Sequence, residues 1–577
     1  MRFGKLDIDP AKSPAVLDTA TWDRAAAGSE ILGRRDDWSS VRPDALRGSR
    51  GGDRAAPGTR VHPIALRAKS IVLLAELPDA QKVFLQIGEP EAGESLGEPF
   101  LRLPLAGGRL LAAYPADAAV IDSICRALQP SNAPRAFGRT PRLGIGARMT
   151  TLVWPGIFAA MDRKGFSANC IQNSVRELNL LDDLKQGKEP ERNYASGFGM
   201  IESGYTGSTF EGLWVAGVLA ALRHERPLAY GADADHIQIK RDDRGLARAF
   251  RVIDAARYYT FFTLDPADIL SYESLGDRGG GEELLRMRVT GEKERQEILS
   301  YHASPLKIGR RSYRADPDMI GRCAGKFWNA LEAVGRLSAR ISALRPGARS
   351  DLEFAFDEHP PEIGGPECIS TEAEVIFVAR EIARRGLPVT HLAPNFGVEK
   401  GCDYRLADGL PGLGKRVSSL FRIAEELGFM LDVHSADDLS SATRRAIGRA
   451  TGGSLHFKIS PFLHFLFSET VKERSPEIFL GWWDDALDYA RTEAEKGSPI
   501  ARESLSDLQS SDDPSPSPGH EVFRQFFFAF LGRRDAAGHF VNREMFYGLS
   551  DELAAAYQRR VEAHLCQLAE ELFEREE

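Results

Sequence analysis

From about Leu143 onward, short apolar runs alternate with long amphipathic stretches, the pattern of parallel strands joined by helices. Eight runs have strand character: LGIGA (143–147), FSANCIQN (166–173), GADADHIQIK (231–240), YYTFFTLDP (258–266), DLEFAFDE (351–358), VTHLAPNF (389–396), GFMLDVHS (428–435) and SLHFKIS (454–460). Eight is the number that closes a (β/α)8 barrel, so the expected fold class is α/β and TIM-like. Thr371 and Glu374 predict a capping box ahead of EVIFVAREIARRG, and Gly386 ends that crossover helix. Residues 1–61 carry almost no apolar periodicity and predict an irregular arm. Residues 62–140 predict a small α/β accessory module, 141–480 the catalytic barrel, and 481–577 a helical appendage interrupted by SDLQSSDDPSPSPG.

A chain of 577 residues accommodates a catalytic domain with such additions. The composition is 43% hydrophobic and 27% charged, that of a globular protein, and the formal net charge of -9 disfavours nucleic acid or an anionic membrane as partner. Six cysteines are scattered without a CxxC pair, which points to a reducing compartment, and no apolar run is long enough to span a bilayer. The expected location is the cytoplasm and the expected partner a small molecule.

The chemistry is expected at the C-terminal ends of the barrel strands, where distant parts of the chain converge. Polar residues gather in those runs: Gln172 and Asn173, Asp235 and His236, Asp265, Asp357 and Glu358, Asn395, Asp432 and His434, then His456 and Lys458. Neutral imidazole suits zinc, manganese, nickel, cobalt or iron, so His236, His434 and His456 are candidate metal ligands. Any one of them could equally be a buried histidine satisfied by a single hydrogen bond. The period of two puts His456, Lys458 and Ser460 on one face of their run. His391 falls mid-run and is expected to be structural or supporting. Asp235 and Glu358 are candidates for general acid/base work, or for a salt bridge or metal ligation. GLPGLGKR (409–416) lacks the Ser/Thr of a phosphate loop and reads as a Gly/Pro turn, and GIGARM has two of the three glycines of a dinucleotide fingerprint.

These segments resemble the tagaturonate/fructuronate epimerases, metal-dependent enzymes of hexuronate catabolism. The likeness spans roughly residues 140–480 and rests on RLGIGARMTTLVWPG, SANCIQNSVRELN, YGADADHIQIK, YTFFTLDPAD, the FDE run with the later helix start STEAE, EKGCDY, LDVHSADD and ATGGSLHFK, in that order. The resemblance implies a divalent metal on His236, His434 and His456, an acid/base pair of Asp235 and Glu358, and substrate contacts from Gln172, Lys400 and Lys458. It implies epimerisation of a ketohexuronate at C4. That carbon is β to the C2 ketone, so enolisation cannot invert it, and a retro-aldol opening of C3–C4 followed by re-addition is the expected route. A metal-dependent aldolase, an epimerase of a neutral ketose, or a silent sugar-acid-binding protein are the alternatives.

Overall fold

The structure is a computed structural model that describes all residues except 1, 4–5, 8–22, 42–52, 57–58, 67–68, 90–95, 150, 190–191, 196–198, 242, 359–362, 364–367, 399–401, 435, 437, 460, 532–546 and 575–577. Eight parallel strands close a barrel: β1 (Arg142–Gly146), β2 (Ser167–Ser174), β3 (Tyr230–Gln238), β4 (Phe261–Asp265), β5 (Asp351–Phe356), β6 (His391–Pro394), β7 (Met430–Val433) and β8 (His456–Ile459). β8 pairs back onto β1, with His456 opposite Arg142 and Lys458 opposite Gly144. Each strand coincides with one of the eight predicted runs. Among the described residues no helix is long and apolar enough to cross a membrane.

The first residues of β1, β5 and β6 close the floor. Arg142 donates to Asp351 at 3.0 Å and lies 2.8 Å from His391 Nε2, while Asp351 also accepts from the backbone N–H groups of Phe137 and Gly138. His391, expected mid-strand, is instead the first residue of β6, and with its Nδ1 2.7 Å from Thr390 Oγ1 both its nitrogens are engaged in this floor. The helix Glu372–Arg385 has the predicted capping box between Thr371 and Glu374 and stops at Gly386 in the left-handed conformation.

Ahead of the barrel, six antiparallel strands form a sheet in the order 53–56, 59–66, 70–76, 82–88, 110–115, 101–104. Alternation sorts its residues: Val72, Leu74, Phe84 and Tyr114 join the main core, while Ile71, Leu73, Val83 and Leu85 pack under Ile31 and Trp38. Those last two lie on the helices Arg24–Gly33 and Arg35–Ser40, within the arm expected to be irregular. Few large apolar residues mark these helices in an Ala/Arg/Asp background, which hid them from the periodicity. GLPGLGKR likewise is no turn. It opens the helix Gly409–Glu426, with Pro411 in the first turn, where a missing N–H leaves no helical bond unmade.

Candidate active site

Along β3 a strict period of two would place Asp233 and Asp235 inside the barrel and His236 outside. The pairing with β4 shifts between Ala234 and Ile237, and His236 takes φ 56°, a left-handed value that non-glycine residues avoid. This local strain turns the imidazole inward, so that its ring centroid lies 4.9 Å from that of His434.

Each predicted histidine has an aspartate against Nδ1: Asp265 lies 3.2 Å from His236, Asp357 3.1 Å from His434 and Asp432 2.9 Å from His456. A carboxylate on Nδ1 fixes the ring and leaves Nε2 for a ligand, the arrangement common around protein-bound metals. Asp265, Asp357 and Asp432 stood among the strand-end residues in the sequence, without a role.

The three histidines do not form one tight cluster. Among the described residues, three groups have ligand atoms all within 4.8 Å of one another: His391 with Asp432 and His456, His236 with Asp265 and Glu358, and Glu353 with Asp432 and His434. His456 was expected at a strand end, but it is the first residue of β8 and sits lower in the barrel, its ring 5.1 Å from Phe261 and 5.8 Å from His391. Because β8 is only four residues long, the polar position within its apolar run marks the strand's beginning, not its end. Arg142 beside His391 makes the lowest group inhospitable to a cation.

The group of Glu353, Asp432 and His434 is different. His434 Nε2 is 2.5 Å from Glu353 Oε1, yet neither atom makes a hydrogen bond, and Asp432 Oδ1, Asp357 Oδ1 and His456 Nε2 are also buried without hydrogen-bond partners among the described residues. Buried polar atoms left this way are costly unless something else binds them. The donor set of carboxylate oxygens and imidazole nitrogens fits a divalent first-row cation.

Lys458 occupies the centre of the barrel. Its ammonium lies 2.9 Å from Asp235 Oδ1, 3.2 Å from Asp233 Oδ2, 2.6 Å from Glu353 Oε2 and 2.5 Å from Thr263 Oγ1. Burial alone would discharge it, but the surrounding carboxylates hold it well above the usual lysine range. In return Lys458, with His236 and His434, keeps Asp235 below the usual carboxylate range despite its burial. Burial, Asp235 and Glu353 push Asp233 up to about 7 against the pull of Lys458, and burial and Glu353 raise Asp432 well above the ordinary value. Burial opposes a charge on His434 too, yet Asp357 and Glu353 raise it. Four carboxylates, those of Asp233, Asp235, Glu353 and Asp432, surround this one ammonium, a second reason the residues suit a cation.

Glu358 is gripped by Arg176, whose two terminal nitrogens donate to its two oxygens at 3.0 and 2.9 Å, and it lies 3.6 Å from His236 Nδ1. Asp235 lies 4.0 Å from His236 Nε2, so the two predicted acid/base carboxylates flank one imidazole. Gln172 is buried inside the barrel beside Gly144. Lys400 lies outside the described residues.

A family profile described as "UxaE: tagaturonate epimerase" matches residues 108–572. The chain belongs to the tagaturonate epimerase family. It is thus an isomerase of the carbohydrate epimerase class. Three solved structures of fructuronate-tagaturonate epimerase UxaE from Cohnella laeviribosi share the fold at 18% identity. The native structure has a TM-score of 0.64 and covers 95% of this chain and 99% of its own. The complex with one glycerol has 0.63, covering 90% and 97%, and that with two glycerols 0.63, covering 88% and 96%. Comparison with curated proteins returns no match.

Four residues that the structure gathers in this candidate site are not singled out by the sequence: Asp233, Thr263, Glu353 and Arg176. Glu353 had a signal, a charged residue in the middle of the apolar run DLEFAF, and Asp233 shares the inner parity of Asp235. Arg176 had none, since its partner Glu358 is far away in sequence.

Proposed function

We propose that the chain interconverts tagaturonate and fructuronate by inverting C4, with a divalent metal held by His434 and Glu353 and flanked by His236 and His456. The observation that carries this reading is the convergence of buried, unsatisfied carboxylate and imidazole atoms on an interior with one lysine. The metal, when bound, would act as a Lewis acid that polarises the substrate's C2 carbonyl. The chain's own groups do the rest. Asp235, anionic beside Lys458, accepts the O4 proton as C3–C4 opens to an enediolate and an aldehyde that carries the carboxylate. The aldehyde rotates and re-adds through its other face, the new O4 takes a proton from the Glu358 side of His236, and the proton held by Asp235 returns across His236, 4.0 Å away, to reset both groups. Arg176 holds Glu358 in place for that exchange, and the Gln172 carboxamide offers polar contacts to substrate hydroxyls. Burial of the whole group keeps water from the fragments.

Metal analysis by mass spectrometry on untagged protein, paired with turnover of tagaturonate before and after chelation, tests this reading. About one ion per chain and chelator-sensitive formation of fructuronate are expected. Metal-free protein with full activity, or solvent deuterium appearing at C3 or C4 of the product, would sink it. His434→Ala should lose the ion as well as turnover.

A further inference from the structure

A cavity of about 450 Å³ opens on the outer wall, away from the barrel interior. It is enclosed by the hairpin Leu306–Ile308 and Arg311–Tyr313, the helix Pro317–Leu344 and the helix Glu372–Arg385. Its body is apolar, lined by Leu306, Met319, Ile320, Cys323, Ile376 and Phe377. That volume and lining suit a small organic molecule with few polar groups.

The polar groups around it are engaged, with one exception. Asp316 accepts from the Met319 N–H at 2.8 Å, Glu372 meets Arg311 at 3.2 Å, and His302 Nε2 lies 2.9 Å from Glu381. Arg380 donates to the Ser304 carbonyl at 3.0 Å and to its hydroxyl at 2.8 Å. Arg314 is exposed at the opening and has no hydrogen bond or ion pair among the described residues. An apolar chamber with one uncommitted guanidinium at its entrance selects an amphipathic anion, and a guanidinium pairs best with a carboxylate.

The cavity is wired to the active site twice. Its wall residue Thr371 follows Ser370, whose N–H donates to the Asn395 carbonyl at 2.9 Å and whose hydroxyl accepts from the Asn395 N–H at 3.0 Å. The Asn395 side chain donates to the Asp357 carbonyl at 2.7 Å, and Asp357 is the carboxylate 3.1 Å from His434. On the other side Lys326 donates to Glu374 at 2.6 Å, lies 3.9 Å over the Tyr272 ring, and the Tyr272 hydroxyl donates to the Glu358 carbonyl at 3.3 Å.

We propose that this cavity is an effector site for a small amphipathic carboxylate, its apolar part against Met319, Ile376 and Phe377 and its carboxylate on Arg314. Occupancy fixes the start of the helix Glu372–Arg385 and, through Ser370 and Asn395, the position of Asp357 against His434. Calorimetry on the full chain with 4-phenylbutyrate as probe, together with amide exchange over residues 370–376 and 430–434, tests it. Saturable binding is expected, weakened about five- to tenfold in Arg314→Gln and with the uncharged 4-phenylbutyramide, in line with the loss of one partly exposed charge pair. Ile376→Trp should fill the chamber and abolish binding, and Ala373→Leu does the same more gently should the larger change impair folding. Exchange in both segments should slow when the probe is bound. No binding, binding indifferent to Arg314→Gln and to filling, or unchanged exchange at 430–434 would each overturn the proposal. Because these readouts need no turnover, a chain inactive on tagaturonate would refute the proposed reaction and leave the effector site standing.

Discussion

A Cβ built on Gly144 would stand 2.7 Å from Gln172 Oε1, 2.8 Å from Lys458 Cγ and 2.9 Å from His456 Nε2. Three side chains from β2 and β8 thus share a space that exists only because β1 carries no side chain there. Gly144→Ala must push Lys458 or His456 aside, and Lys458 holds Asp235, Asp233 and Glu353 together. The expected result is a fall in kcat of about tenfold or more with a stability loss of about 1–3 kcal/mol, the usual range for overpacking. Steady-state kinetics beside a thermal melt checks it, and an unchanged kcat would mean that the ammonium's position is immaterial to the reaction. At this scale the sequence was informative where a polar residue broke an apolar run, as at Asp235, His434 and Lys458. It could not show which of those residues face one another. His236 illustrates the limit: its inward orientation depends on a bulge and on φ 56°, and neither leaves a mark in the spelling ADADHIQ.

The strands themselves were legible because each is an apolar run bounded by polar or turn residues, and the crossover helix after β5 carried its own start and stop signals in Thr371, Glu374 and Gly386. What the pattern lacked was the level at which each strand enters the barrel. β7 and β8 contain four residues each, so one residue of uncertainty moves a side chain a quarter of the strand, and that is how His456 came to be expected at the wrong end. The floor shows what the low ends do instead. Asp351, at the start of β5, receives Arg142 from β1 together with the Phe137 and Gly138 N–H groups, all of them away from the mouth. Arg142 is fully buried, so removing its partner strands a guanidinium in the interior. Asp351→Ala should therefore cost about 3–5 kcal/mol in urea denaturation while metal content and KM of any folded enzyme remain near wild type. A loss below about 1 kcal/mol would show that the ion pair is no better than the surface pairs elsewhere on the chain.

At the level of the whole molecule, the C-terminal helix Asp551–Phe573 is part of the barrel's outer wall. It packs so closely on the helix Trp154–Lys164 that a Cβ on Gly156 would stand 2.4 Å from the Gln558 carbonyl, and Arg163 and Lys164 pair with Glu562 and Glu570 at 2.6 and 2.7 Å. Within this helix His564 is buried, stacked on Phe462 with ring centroids 4.5 Å apart, and its Nε2 makes no hydrogen bond among the described residues. Burial, then the nearby Arg444, lower its pKa to about 3, with Glu571 opposing them. The unfolded chain keeps the ordinary value of 6.5, so between pH 6.5 and about 3 it binds a proton that the folded chain refuses. Stability is therefore complete above pH 6.5 and is lost as the pH falls, by up to about 1.4 kcal/mol per unit from this residue. His564→Gln keeps a polar side chain of similar size and removes the titration. Urea midpoints followed by helical signal from pH 7.5 to 4.5 should fall less steeply for the variant than for wild type, with the two curves converging above pH 7. Parallel curves would mean that His564 takes up its proton without opening the C-terminal helix from the barrel, and acid sensitivity would then belong to the carboxylates around Lys458.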